Sequence, residues 1–374
     1  LEEQQGLNSL MDQMANIMAE DQTPPKPDVP YVDESIAVAP EISSGMTPVK
    51  WNGSNWVQTD ETDSEWYDYG NKEWANVVLV GEDGKDADGD QDVFNADGTL
   101  NEDSNYSMLV WIPRYAYKIN SQYHQSGTGA GEIDIVFIDT ANKGKDGSKT
   151  YSKEYPSATT NGSMSDYVVH PAFDYGGTAL AGFWVGKFET SSSNPSIGNG
   201  GGNTTSLDPM IKPNVTSWRN ITVSNIYQVG LKLSAVGNRY GFSENMNSHA
   251  MRNDEWGAVA YLSQSRYGKL GNENFKGANK EVYQNKSNSY ITGCSYGAPS
   301  NGNTDYGCQY EYDNNIRTEE GIVGKGVGAS TTGTIYGVYD MSGGAWEYVM
   351  GNYNDVPGNF GFSNPLTIDS KYYN

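Results

Sequence analysis

Two carboxylates, Asp340 and Glu347, flank a glycine-rich turn in the block Thr334-IYGVYDMSGGAWEYV. Gly343 and Gly344 let the chain turn tightly there, so both carboxylates can be directed at one point. With the backbone carbonyls between them they form a set of hard oxygens, which calcium prefers. The same pattern also suits a capped turn around a core Trp346, with Glu347 in a buried salt bridge. A second acidic constellation lies upstream, where Asp86, Asp88, Asp90 and Asp92 alternate and Asp97 is twelfth counting from Asp86. That is close to the oxygen spacing of an EF-hand calcium loop, although Gln91 stands where the sharp turn wants glycine and Asp97 where a longer glutamate is usual. Its other reading is a solvated acidic loop that belongs to no core. Cys294 and Cys308 bracket a Gly-, Asn- and Ser-rich span. In an oxidising compartment they would pair, stabilising by about 3 kcal/mol for a loop this short; otherwise they are two buried thiols. His124, His170 and His249 are the only histidines, which leaves little for imidazole catalysis or a His-rich zinc site.

The elements that must carry these residues are short. Positions Leu7, Leu10, Met11, Met14, Ile17 and Met18 give an amphipathic helix within residues 1–22, a stalk or assembly segment. A proline-rich spacer follows over 23–43. A Trp-rich β lead-in with the acidic insert is expected over 44–106, opening with a hairpin around Asn-Gly-Ser-Asn in Val49-KWNGSNWVQT. Buried strand texture continues to Val80 and resumes in Ser107-MLVWIPRYAYKI and Phe183-WVGKFET. Helices are expected over 217–233 and 253–264. The whole reads as an α+β fold with short antiparallel strands, few helices and long loops.

The chain has 374 residues and a formal charge of −23. Such a surplus repels phosphate backbones and anionic lipid, so nucleic-acid partners are not expected. No apolar run reaches the roughly 20 residues that cross a bilayer. The first residue is Leu1, which points to a processed chain or a fragment whose signal or anchor segment lies upstream.

Four segments in order resemble the formylglycine-generating-enzyme, or sulfatase-modifying-factor, family, whose fold is a C-type-lectin-like variant. They are Val110-WIPRYAYKI, then His170-PAFDYGGTALAGFWVGKFET, then Thr216-SWRNITV with Met251-RNDEWGAVAYL, and finally Tyr336-GVYDMSGGAWEYV. The last is similar to the family's "GLYDMSGNVWEW" and is the most specific. The resemblance implies one elaborated domain over 107–374, truncated at its C-terminus where the family has a further "RGG" segment. It also implies calcium ligands at Asp340, Gly343, Ala345 and Glu347. The family's copper-binding thiol pair lies downstream of the "WEW" block, where this chain has no cysteine, so oxidase activity is not expected. Gly344 and Tyr348 also depart from the family's Asn and Trp.

The resulting expectation is a non-catalytic extracellular or cell-surface binding or adhesion module on a calcium-stabilised scaffold, in the style of secreted and pilin-like proteins of Gram-positive bacteria. Its ligand would be a glycan or a host protein, met by the Tyr-, Ser-, Gly- and Asn-rich loops 191–205 and 286–312. The competing expectation is a structural subunit of an extracellular filament, pilus or phage-tail-like assembly that self-associates through its N-terminal segment.

Overall fold

The computed structural model describes residues 30–120, 133–159, 162–269, 284–285, 290–294 and 327–351. The expected N-terminal helix, Cys308, His124 and much of the 286–312 loop lie outside the described residues.

The strands in chain order are β1 (Met46–Trp51), β2 (Trp56–Gln58), β3 (Asn76–Leu79), β4 (Ser107–Pro113), β5 (Tyr115–Ile119), β6 (Ile133–Phe137), β7 (Val168–Val169), β8 (Asp174–Tyr175), β9 (Thr178–Ala179), β10 (Gly182–Gly186), β11 (Ser191–Ser192), β12 (Pro209–Met210), β13 (Gln284–Asn285) and β14 (Ser342–Gly343). Two α-helices accompany them, α1 (Val223–Gly230) and α2 (Asn253–Ser263). With small, mostly antiparallel sheets and few helices, the fold is broadly α+β.

The main sheet has the order β10-β4-β3-β1-β2, antiparallel throughout. Its first hairpin closes as the sequence predicts: the Asn52 side chain accepts the N–H groups of Ser54 and Asn55 at 3.0 and 2.8 Å, an Asx turn that sets Trp51 opposite Trp56. The expected boundary at 106/107 falls inside this sheet, because β3 and β4 pair from Asn76–Val110 to Leu79–Ser107. The lead-in and the larger stretch therefore share one sheet and one core. A second sheet, β6-β5-β7, follows directly after Pro113 and Arg114.

The core is built from amphipathic aromatics. Trp56, Trp66, Trp74, Trp111, Tyr67, Tyr69, Tyr106 and Tyr115 are all essentially buried. Burying a Trp or Tyr needs a partner for its polar end, and the partners are main-chain oxygens. Trp66 donates to Asn76 O at 2.9 Å, Trp74 to Tyr267 O at 2.8 Å, Tyr69 to Trp111 O at 2.6 Å and Tyr115 to Ala258 O at 2.7 Å. Main-chain carbonyls of strands, helix and loop thus take up the polar ends of the buried aromatics.

Helix α2 starts where the sequence places it. Glu255 Oε2 accepts the Arg252 N–H at 2.7 Å, and Met350 O accepts that of Asn253 at 2.8 Å. Helix α1 is shorter than the expected 217–233. Asn220 adopts φ +57°, a left-handed conformation that ends helical continuity. Ser217 and Trp218 are tied instead to Tyr290 O and Gly202 O.

Candidate functional site: an aromatic groove beside a carboxyl cluster

Strand β10 continues into Lys187, Phe188 and Glu189, and the two ionisable residues take up opposite tasks. Lys187 is fully buried. Its ammonium donates to Asn76 Oδ1 at 2.8 Å, Ile335 O at 2.6 Å and Gly337 O at 3.0 Å, and it lies 5.1 Å from the Trp56 ring and 5.3 Å from that of Tyr339. Burial pushes its pKa well down. The three oxygen acceptors oppose this, because a neutral amine has only two N–H groups with which to meet them. Lys187 O in turn receives the Tyr339 N–H at 2.7 Å, so this residue fastens the chain just before Asp340 to the main sheet.

Asp340 is buried and has φ +62°, a conformation that Asp tolerates better than most residues. Its Oδ2 accepts the Gly293 N–H at 2.8 Å and its Oδ1 the Asn285 side-chain amide at 3.1 Å. The Glu189 backbone N–H also bonds to it. Burial raises its pKa to about 7 against these three donors. Glu189 is buried beside it and is raised to about 9, first by burial and then by the charges of Asp340 and Glu347. Its Oε1 accepts the Ala345 N–H at 2.9 Å, and its Oε2 shares a short hydrogen bond with Ser217. Glu347 sits on the exposed side of the same turn. Protein packed around its carboxyl and the charge of Asp340 push it upward as well, and water at the rim screens part of that push.

The two turn glycines are required by these contacts. A Cβ on Gly343 (φ +86°) would lie 2.1 Å from Asn285 O, and one on Gly344 (φ +64°) 2.4 Å from Glu189 Oε1. Glycine at 344 therefore keeps the left-handed turn and makes room for Glu189.

Beyond this cluster lies a cavity of about 550 Å³, within the size range of ligand pockets. Phe183, Trp184, Trp218, Trp256, Trp346 and Tyr348 contribute its aromatic lining. Trp346, which a capped turn would place in the core, is instead 94% exposed, and Tyr348 is 57% exposed. His249 lies in the wall with its ring stacked on Tyr175. Both of its nitrogens are engaged, Nδ1 with Asn247 O and Nε2 with Glu255 Oε1 at 3.1 Å. Burial lowers its pKa, and the Glu255 partnership outweighs that and raises it. His170 is buried and is pushed down to about 3, so its ring is neutral.

The structure brings Asp340 and Glu347 into electrostatic reach and adds Glu189, which the sequence reading missed. Among the described residues no group of three or more His, Cys, Asp or Glu side chains is placed to hold a metal ion. The side-chain oxygens of Asp340 and Glu189 are already hydrogen-bonded within the protein, so calcium at Asp340, Gly343, Ala345 and Glu347 would have to draw on remaining lone pairs and on backbone carbonyls.

Of the upstream aspartates, Asp86 and Asp88 lie within hydrogen-bond reach of each other, while Asp92 and Asp97 have other partners. Asp86 is buried, and its Oδ1 accepts the N–H groups of Gly89, Asp90 and Gln91 at 3.1, 3.1 and 3.3 Å while Oδ2 accepts that of Asn105 at 2.8 Å. Burial opposes its charge, and these donors outweigh burial and hold its pKa below the usual carboxylate value. Asp88 bonds the Asn105 side chain, Asp92 pairs with Lys85 at 2.7 Å, and Asp97 caps Thr99. The expectation that this insert contributes nothing to the core is corrected, since Val93 and Leu100 belong to it. Arg239 clamps the insert through Asp83 and Asp86 O. Cys294 is buried and disulfide-bonded; the pairing expected with Cys308 lies outside the described residues.

No family model matches the chain, and no curated protein is significantly similar to it.

Proposed function

We propose that this chain is a non-catalytic binding module of the extracellular or cell-surface kind, built on a C-type-lectin-like scaffold of the sulfatase-modifying-factor type. The observation that carries this reading is the groove, in which exposed Trp346 and Tyr348 stand at the rim of an aromatic cavity beside three carboxyls. Trp and Tyr faces supply contact area at low entropic cost, whether the ligand is a glycan or a host protein. Support for a non-catalytic role comes from the imidazoles, because the His170 ring is buried and neutral and both His249 nitrogens are occupied.

Calcium at Asp340, Gly343, Ala345 and Glu347 belongs to the same proposal. Thermal melts in excess EDTA and in millimolar calcium test it. Calcium should raise the melting temperature, and superimposable curves would remove the ion from the reading. Binding itself is tested on a glycan array with the parent chain and a Trp346→Ala variant. The parent should retain a defined set of glycans and the variant should lose it; equal retention would mean that the groove is not the site.

A further inference from the structure

The stretch that bears Trp346 is fixed only at its ends. The Ala345 N–H is held by Glu189 Oε1 at 2.9 Å, and the Met350 N–H by Met251 O at 2.8 Å. Between these anchors the main chain of residues 346–349 makes no hydrogen bond among the described residues. Trp346, Tyr348 and Val349 are 94, 57 and 39% exposed there. A run of unpaired N–H and C=O groups is a template on which another extended chain can pair. Neither a glycan nor a small amine would meet those groups in register.

The charge of the adjoining groove selects the partner. Among its described lining residues are four glutamates, Glu41, Glu189, Glu255 and Glu347, and no Lys or Arg. Glu255 already pairs with Arg252 and His249, and Glu189 is buried with its oxygens bonded to Ala345 and Ser217, which leaves Glu41 and Glu347 open to the groove. The chain around it carries −23, so the long-range field favours a basic partner too. The same argument excludes residues 1–22, from this copy or a second one, because that segment holds Glu2, Glu3, Asp12, Glu20 and Asp21 and no basic residue.

We propose that residues 346–349 and the groove beside them take an extended basic peptide of a partner protein. Its main chain pairs with the four unpaired residues, its apolar side chains lie against Trp346 and Tyr348, and its Lys or Arg side chains reach Glu347 and Glu41. This rests on the binding-module reading above and narrows its ligand to a peptide.

The test uses the full chain in EDTA-containing buffer and two fluorescein-labelled hexapeptides, one alternating valine with lysine and one alternating valine with glutamate, followed by polarisation. The basic peptide should bind at least about tenfold more tightly than the acidic one. The double variant Trp346→Ala with Glu347→Gln changes exposed residues only, so it folds, and it should weaken the basic peptide by about tenfold. Glu154→Gln with Tyr155→Ala alters an acid–aromatic pair that is equally open to solvent elsewhere, and it should change nothing. Equal losses in the two double variants would reduce the binding to general charge attraction and overturn the proposal, as would equal affinity for the two peptides. The glycan array separates this failure from that of the parent reading. If glycan binding is lost in the Trp346 and Glu347 double variant while neither peptide is preferred, the module stands and the peptide falls. If neither ligand responds to that variant, both fall.

Discussion

Replacing Glu189 by Gln should stabilise the protein at neutral pH, although it alters a buried residue with two hydrogen-bonded oxygens. Ser217 Oγ lies 3.0 Å from Tyr290 O and also within bonding distance of Glu189 Oε2. One hydroxyl hydrogen cannot serve both acceptors. A protonated Glu189 resolves this by donating to Ser217, which then donates to Tyr290 O. The environment agrees, since burial and the charges of Asp340 and Glu347 raise Glu189 to about 9 from an ordinary 4.5. The sign follows from linkage. Below 4.5 the carboxyl is protonated in both states. Between 4.5 and 9 only the unfolded chain is ionised, so folding takes up a proton and stability falls by about 1.4 kcal/mol per pH unit. At pH 7 this amounts to about 3 kcal/mol, and across the whole window to about 6 kcal/mol.

Gln reproduces the protonated form, with its NH₂ toward Ser217 and its oxygen toward the Ala345 N–H. Urea unfolding followed by Trp fluorescence at pH 5, 6, 7 and 8 in EDTA should therefore show the two proteins converging near pH 5 and diverging above it, with the variant about 3 kcal/mol more stable at pH 7. Asp340, raised to about 7, adds its own slope to both proteins and cancels in the comparison. A variant less stable than the parent at pH 7, or with the same pH slope, would refute a protonated Glu189.

Lys187→Met should cost about 3–5 kcal/mol, because Asn76 Oδ1, Ile335 O and Gly337 O would be buried without a donor; a midpoint shift in urea measures it. Gly344→Ala meets both a left-handed φ and the Glu189 carboxyl 2.4 Å away. It should cost about 2–3 kcal/mol, against about 1 kcal/mol for Gly53→Ala, where φ is +96° and the space is open. Asp86→Ala strips an acceptor from four backbone N–H groups. The loss should be about 2–3 kcal/mol, with hydrogen exchange accelerated at Gly89, Asp90, Gln91 and Asn105 and unchanged in β3 and β4.

What could be read from the sequence is what local chemistry decides. The β1–β2 hairpin follows from its Asn-Gly-Ser-Asn turn, and α2 begins at Asn253 as expected, with Glu255 holding the Arg252 N–H. The α+β class follows from short apolar runs broken by turn residues. The 106/107 boundary did not survive, because composition changes at the acidic insert while strand pairing ignores it. β3 and β4 pair as neighbours across that loop, which Arg239 and the donors to Asp86 hold separately. No local signal announces such a pairing, since the two strands are separated by the whole insert and meet only in the folded sheet.

The carboxyl cluster shows the same limit from the side of function. Asp340 and Glu347 were legible because they share one turn with two glycines. Glu189 was not, since its sequence neighbours only place it at the end of a strand. Its role comes from Ser217 and from Asp340 and Ala345 of one turn, two segments that reach it only in the folded chain. Spacing reads Asp340 and Glu347 as a cation site, yet geometry gives them and Glu189 different tasks. Asp340 gathers backbone and amide donors, Glu189 bonds Ser217 and Ala345, and Glu347 faces solvent. An acid already provided with protein donors is a poor first guess for a metal ligand, whereas one left at the rim with an aromatic on either side is available to a ligand. Exposure of Trp346 therefore shifts the functional weight of this block from its centre to its edge.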